Sequence, residues 1–145
     1  MKILSTFILV LLMAKGCTNS ELKKESENIS FEYEANTRGN YLKRIVKQDT
    51  FYAIKNRGGD LVEKTLSKTD WNSILGLLSK VEIAKIPDLK APSEARFYDG
   101  AMMANLKVIY KDKTYETPTF DHGNPPAEIK DLVNKILEVS NPDKK

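Results

Sequence analysis

The sequence predicts an α+β fold, in which an antiparallel sheet of about six strands is covered on one face by two helices. Apolar and polar residues alternate over several short segments, as they do in strands with one buried face. Two longer segments instead repeat apolar residues every three or four positions, as amphipathic helices do. Turn-forming residues separate the short segments, so the order along the chain is β-β-β-β-α-β-β-α.

The first half of the chain predicts a four-stranded meander. Residues 29–35 alternate between apolar and polar side chains, and a turn sequence follows at residues 36–40. The sequence NRGGD at residues 56–60 is a stronger turn signal, because its two glycines permit positive φ. The four strands are expected at residues 29–35, 41–47, 50–55 and 61–66.

The first helix is expected after Ser67, where the apolar period changes. The Ser67 hydroxyl can accept hydrogen bonds from the free N–H groups of a first helical turn, and Asp70 lies in that turn, where a negative charge is favourable. One apolar face then repeats at helical spacing and contains Trp71, Ile74, Leu75 and Leu78.

A second hairpin and a last helix complete the expected fold. Residues 101–110 and 114–119 alternate as strands on either side of a turn. Pro125 and Pro126 then open a helix, because proline at the first helical positions removes only N–H groups that would be unpaired. Its apolar stripe contains Ile129, Leu132, Val133, Ile136 and Leu137. The uncovered face of the sheet is expected to carry the rings of Tyr41, Tyr52 and Tyr115.

The composition excludes several classes of function. The 145 residues include 23 basic and 20 acidic residues, with no basic run of the density typical of nucleic-acid binding. The single cysteine excludes an intrachain disulfide, and a single cysteine with a single histidine excludes the usual zinc sites built from several such ligands. We therefore expect a monomeric domain, stabilised by packing alone, with no cofactor, metal or nucleic-acid partner.

The N-terminal residues predict export and lipid attachment. Lys2 precedes an apolar run at residues 3–13, and the sequence AKG at residues 14–16 is a small-x-small cleavage site before Cys17. The run of about 11 residues is too short to span a bilayer, which takes about 20. We expect a bacterial lipoprotein precursor, in which residues 1–16 are a signal peptide and Cys17 carries the lipid. The protein would then be anchored to a membrane of the cell envelope, facing the periplasm or the surface.

Lys15 departs from the usual lipoprotein pattern, because it places a long cation beside the bond to be cut. An ordinary signal peptidase would also accept this site, so the alternative is a secreted protein with one free thiol at Cys17. In either case residues 17–28 are polar apart from Leu22, and we expect a flexible lipid-anchored tether there. A single α+β domain is expected at residues 29–145.

Four chemistry-bearing residues flank the second hairpin. Arg96 and Asp99 precede it, while Asp121 and His122 follow it, and an antiparallel hairpin brings its two ends together. A structural latch that satisfies loop backbone is the interpretation we favour. The alternatives are a small binding site, or a catalytic site in which His122 is a general base oriented by Asp99 or Asp121. We assign no catalytic residue.

Two further arginines, Arg38 and Arg57, lie on predicted turns beside glycines. The two side chains could form one patch at an edge of the sheet. The alternative is a pair of ordinary solvated hairpin tips.

Three segments resemble uncharacterised small lipoproteins of Bacteroidota-type bacteria: residues 33–39 (YEANTRG), 96–100 (RFYDG) and 120–126 (FDHGNPP). The resemblance implies an envelope location and no particular activity. We therefore expect a lipid-anchored binding module whose partner is an envelope protein or polymer. The alternatives are a small envelope enzyme that uses His122, and a structural accessory subunit of an envelope complex.

Overall fold

The computed structural model describes residues 18–145 and confirms the predicted α+β class. The predicted signal peptide and Cys17 lie outside the described residues. The strands are β1 Ile29–Asn36, β2 Tyr41–Val46, β3 Thr50–Ile54, β4 Val62–Thr65, β5 Met103–Tyr110, β6 Lys113–Glu116 and β7 Phe120–Asp121. The helices are α1 Asn19–Lys24, α2 Lys68–Leu78 and α3 Lys130–Val139. Shorter 3-10 turns lie at Ser26–Asn28, Ile83–Asp88, Ala95–Tyr98 and Ala127–Ile129.

The sheet is antiparallel throughout, with the strand order β4-β3-β2-β1-β5-β6 and with β7 paired to β5. β1 is central and alternates strictly between buried and half-buried residues, as its sequence predicts. The buried side of β1 faces the helices and consists of Ile29, Phe31, Tyr33 and Ala35. One face of the sheet therefore forms the core, and the other face meets water.

The two predicted helices cover the apolar face of the sheet. The Ser67 hydroxyl caps α2 by accepting from the Asp70 amide at 3.1 Å, and all four apolar residues of the predicted α2 face are buried. The Trp71 ring packs edge-on against Phe31 with 6.0 Å between centroids. The α3 stripe is buried in the same core, except that Leu137 is only partly buried. No helix within residues 18–145 is both long enough and apolar enough to cross a membrane.

The second hairpin differs from its prediction, because the strand expected at residues 114–119 is divided. β6 ends at Glu116, and the Thr117 side chain then accepts from the Leu106 amide at 3.1 Å in place of a regular ladder bond. Pro118 has no N–H to continue the ladder, and pairing resumes only at Phe120. Tyr115 pairs with Val108, a core residue, so the expectation that its ring lies on the open face was wrong.

The segment expected to be a flexible tether is folded from Thr18 onward, so that expectation is corrected. The Thr18 hydroxyl caps α1 by accepting from the Glu21 amide at 3.3 Å, and Leu22 is fully buried in the core. The Ser26 hydroxyl is also buried and accepts from the Gln48 amide group at 3.2 Å. A mostly polar segment is ordered here because one leucine side chain, once docked, contributes about 1.5–3 kcal/mol of burial.

Leu22→Ala tests this docking. We expect the free energy of unfolding to fall by about 2 kcal/mol, the low end for a buried leucine, because residues 18–28 can undock locally and so limit the loss. Chemical denaturation measures the change. Lys23→Ala, on the exposed side of the same helix, is the control and should change stability by less than about 0.5 kcal/mol. Equal stability of the two variants would show that the helix does not dock.

Candidate functional site

The base of the second hairpin is closed by the Asp121 carboxylate, which is 2 % exposed. Its oxygens accept from the Ser93 hydroxyl at 2.5 Å, the Ala95 amide at 2.8 Å and the Arg96 amide at 2.9 Å. β7 positions this carboxylate, since Asp121 pairs with Met103 of β5. A buried acceptor in the sheet therefore holds the start of the 3-10 turn Ala95–Tyr98.

The Arg96 guanidinium completes this cluster. Its Nη1 atom donates to Asp121 Oδ1 at 3.2 Å and to the Ser93 carbonyl at 2.6 Å, and both charged side chains are nearly inaccessible to water. The Arg96 guanidinium also stacks on the Phe97 ring at 4.3 Å. We call the cluster of Ser93, Arg96 and Asp121 the hairpin latch. The cluster contains two of the four residues of the structural latch predicted from the sequence, Arg96 and Asp121.

The hydrogen bonds of the latch determine the protonation of Asp121. Burial alone would raise the pKa of its carboxyl, but the bonds from Ser93, the Arg96 and Ala95 amides and the Arg96 side chain outweigh burial and lower the pKa to about 2. Asp121 therefore stays negatively charged at any pH near neutrality, and it neutralises the buried Arg96 charge.

His122 lies beside the latch in sequence but makes a different contact. Its backbone amide donates to the Met102 carbonyl, and its ring Nδ1 is hydrogen-bonded to the Tyr33 hydroxyl at 2.8 Å. Burial and the positive charge of Arg44 lower the pKa of His122, and burial raises the pKa of Tyr33, so both groups are neutral at pH 7. No hydrogen bond joins the ring to a carboxylate within the described residues. The catalytic alternative needed a carboxylate of Asp99 or Asp121 to orient the His122 ring, and that contact is therefore not formed.

Asp99 is the fourth predicted residue, and the structure does not place it in the latch. It is exposed, it adopts a left-handed backbone with φ of 58°, and it ends the 3-10 turn that begins at Ala95. Of the four candidates, only Arg96 and Asp121 are joined by a side-chain hydrogen bond or ion pair. No group of three or more metal-ligating side chains occurs within residues 18–145.

A groove lies at the end of the sheet where β1 ends, and it contains both arginines of the predicted edge patch. One part, of about 270 Å³, is lined by Arg38, Arg57, Arg96 and Asp99 among others. An adjoining part of about 400 Å³ shares Arg38 and Asp99 and extends to Asn40 and Met102. We call the two parts together the arginine groove. The meander and the hairpin base thus contribute to one surface.

The cations of the arginine groove differ in how they are paired. Arg96 is bound to Asp121, whereas neither Arg38 nor Arg57 makes an ion pair with another described residue. Arg57 donates weakly to the Thr37 carbonyl at 3.4 Å, and its guanidinium lies 6.0 Å from the centroid of the Tyr41 ring. Two guanidinium groups are therefore held at the groove with their charge available to a ligand.

Exposed aromatic rings lie on the segment beside the arginine groove. The side chain of Phe97 is 57 % exposed and that of Tyr98 is 82 % exposed, which is unusual for large rings. Sequence reasoning missed them, because within RFYDG only the charged residues were candidates for a site. The position of the Phe97 ring is explained by the Arg96 guanidinium, which lies over it at 4.3 Å from the ring centroid.

Arg44 was also missed by the sequence analysis. The strand register places Arg44 opposite Tyr33 on the covered face of the sheet. Its Nη1 atom donates to the carbonyls of Lys43 and Ile54. Its Nε atom is buried and has no hydrogen-bond partner among the described residues. The available signal was the two-residue period, which puts Arg44 on the same face as Leu42 and Val46. Burial, offset only partly by the charge of Asp143, lowers the pKa of Arg44.

The fold and these clusters define a small two-layer α+β domain with a latched hairpin and a cationic groove. No protein-family model, no curated protein and no solved structure matches the chain significantly.

Proposed function

We propose that this protein is a lipid-anchored binding module of the cell envelope, and that it contacts an envelope macromolecule through the arginine groove. The observation that supports binding is the groove itself, which is lined by two guanidinium groups without ion-pair partners among the described residues. The exposed rings of Phe97 and Tyr98 lie in the chain between Arg96 and Asp99, two residues that also line the groove. Exposed apolar groups beside available charges are typical of interaction sites rather than of inert surface.

The position of the groove supports the same function. The groove lies where β1 ends, at the turns that follow β1 and β3. α1 lies near the opposite end, where residues Lys23 and Ser26 line a pocket with Gln48 and Asp49. The eight residues of β1 separate these ends by about 26 Å. A lipid on Cys17 would therefore hold the domain with its groove directed away from the membrane.

The two alternatives have less support. The enzyme alternative required His122 to be oriented by Asp99 or Asp121, and its ring is instead bonded to Tyr33. The accessory-subunit alternative required a broad apolar surface. Within residues 18–145 the large exposed apolar side chains are Leu61, Phe97, Tyr98 and Met103, three of which belong to residues 97–103. A localised contact agrees better with a module that binds one ligand.

The anchor is tested by metabolic labelling with a fatty-acid analogue and by cell fractionation. The wild-type protein should take up label and fractionate with membranes, and Cys17→Ser should abolish both, because stable attachment needs two or more buried acyl chains. Lys15→Ala, which restores a small residue before Gly16, is the control and should label at least as well. Labelling of Lys15→Ala without labelling of the wild type would show that Lys15 blocks lipidation and that the protein is not anchored.

A further inference from the structure

We propose that the ligand of the arginine groove is an anionic glycan, a saccharide chain that carries carboxylate or phosphate groups; this deepens the binding function proposed above and rests on it. The groove is a surface channel continuous over two parts, of about 270 and 400 Å³. A channel of this form accommodates a few units of an extended chain rather than an enclosed small molecule.

The charges of the groove indicate an anionic ligand. Arg38 makes no ion pair or side-chain hydrogen bond within the described residues, and Arg57 is bonded only to a carbonyl. A guanidinium presents a planar fork that matches the two oxygens of a carboxylate or phosphate group. Arg96 contributes little charge to the ligand, because its guanidinium is bound to Asp121. Arg38 and Arg57 therefore provide the anion-binding groups.

The other groups of the groove favour a hydroxyl-rich chain over a peptide or a bare polyanion. Asn36 and Asn40 line it, and their side-chain amides make no hydrogen bond within residues 18–145. Asp99 also lines it and has no ion-pair partner among the described residues. A carboxylate can accept from sugar hydroxyls but repels a ligand made only of anions. The described lining residues that lie in strands are Asn36 of β1 and Met103 of β5, and each has a strand partner on both sides, so neither offers a free edge to a peptide backbone.

Exposed rings add a second mode of contact. Phe97 remains exposed although the Arg96 guanidinium lies over its ring, and Tyr98, on the same turn, is still more exposed. Aromatic faces pack against the C–H faces of sugar rings, whereas the hydroxyls around those rings reach the amides and Asp99. Cation, amide, carboxylate and aromatic ring together match a charged saccharide.

Isothermal titration calorimetry on the purified full-length protein tests the ligand class. The buffer contains 0.15 M salt, at which the Debye length is about 8 Å. The probes are polygalacturonate, a carboxylated glycan; phosphomannan, a phosphorylated one; dextran, a neutral glycan; and polyglutamate, an acidic peptide. The wild type should bind at least one anionic glycan and not dextran. The Arg38→Gln/Arg57→Gln variant should bind that glycan at least tenfold more weakly.

Matched variants separate recognition from net charge. Lys80→Gln/Lys90→Gln removes the same charge from exposed lysines that do not line the groove and should change affinity by less than twofold. Arg57→Lys keeps the charge but loses the planar fork, and it should also weaken binding measurably. If the double variant melts at a lower temperature than the wild type, Arg38→Gln alone replaces it, because this exposed side chain makes no ion pair or hydrogen bond within the described residues.

Each outcome decides the proposal. Binding of polygalacturonate or of phosphomannan supports it and identifies the anionic group. Binding of neither glycan, an equal loss of affinity in the lysine variant, or tighter binding of polyglutamate would overturn it, the last in favour of an acidic protein segment. Labelling at Cys17 is measured independently, so a failure of the glycan assignment leaves the anchored-module proposal standing.

Discussion

Leu132→Ala is expected to lower the free energy of unfolding by about 2–5 kcal/mol, the largest single effect that we predict. Leu132 lies in the first turn of α3, is 1 % exposed and belongs to the core between the helices and the sheet. Truncation to alanine removes buried apolar surface and leaves a cavity that neighbouring side chains fill only in part. Denaturant unfolding, followed by circular dichroism, measures the change.

The control for Leu132→Ala is Asn134→Ala on the exposed side of the same helix. It should change stability by less than about 0.5 kcal/mol, because no described contact of this side chain is lost. A comparably small effect of Leu132→Ala would contradict the packing of α3 on the sheet.

Asp121→Asn should lower the melting temperature by on the order of 10 °C, because several buried donors lose a charged acceptor together. The asparagine keeps one acceptor oxygen but turns an NH₂ group toward the donors that faced the second oxygen. The Arg96 charge is then buried without its partner. Differential scanning calorimetry at pH 7 measures the shift.

Asp99→Asn is the matched control for Asp121→Asn, since it makes the same chemical change three residues after Arg96 on an exposed side chain. It should leave the melting temperature within about 1 °C of wild type. A shift as large as that of Asp121→Asn would place Asp99 in the latch, contrary to the structure.

The latch also predicts a pH dependence. The folded pKa of Asp121, about 2, is below its ordinary value of 3.8, so the unfolded chain binds the proton more readily. The stability contributed by the carboxylate is complete above pH 4 and is lost as the pH falls toward 2. The wild type should therefore lose more stability than Asp121→Asn between pH 4 and pH 2. Parallel loss in both proteins would show that the folded carboxyl titrates normally.

Much of the fold could be predicted because it follows from local periodicity. β1 alternates along its entire length, and the α2 face from Trp71 to Leu78 repeats at helical spacing with its cap at Ser67. These signals depend on each residue and its near neighbours, so they are present in the sequence itself. The division of the strand expected at residues 114–119 was harder to predict, because the Thr117 side chain takes the place of a backbone acceptor in the ladder.

The candidate site was predictable only in part. The topology of a hairpin brought Arg96 and Asp121 together, as the sequence indicated. The direction in which His122 and Asp99 point depends on the backbone angle at each residue and on the strand opposite. The Tyr33 hydroxyl, 89 positions away in sequence from His122, could not be identified as its partner from spacing.

The sequence by itself determined the α+β class, the order of its elements, the apolar faces that form the core, and a set of four candidate residues that includes the two of the latch, Arg96 and Asp121. The tertiary structure alone decided that Leu22 docks a segment of polar composition, that Tyr115 faces the core, and that Arg38 and Arg57 share one groove with the hairpin base. The physical reason is the range of the interactions. Periodicity and capping act over a few residues, whereas docking, register and the meeting of separate loops depend on side chains that only the packed chain brings together.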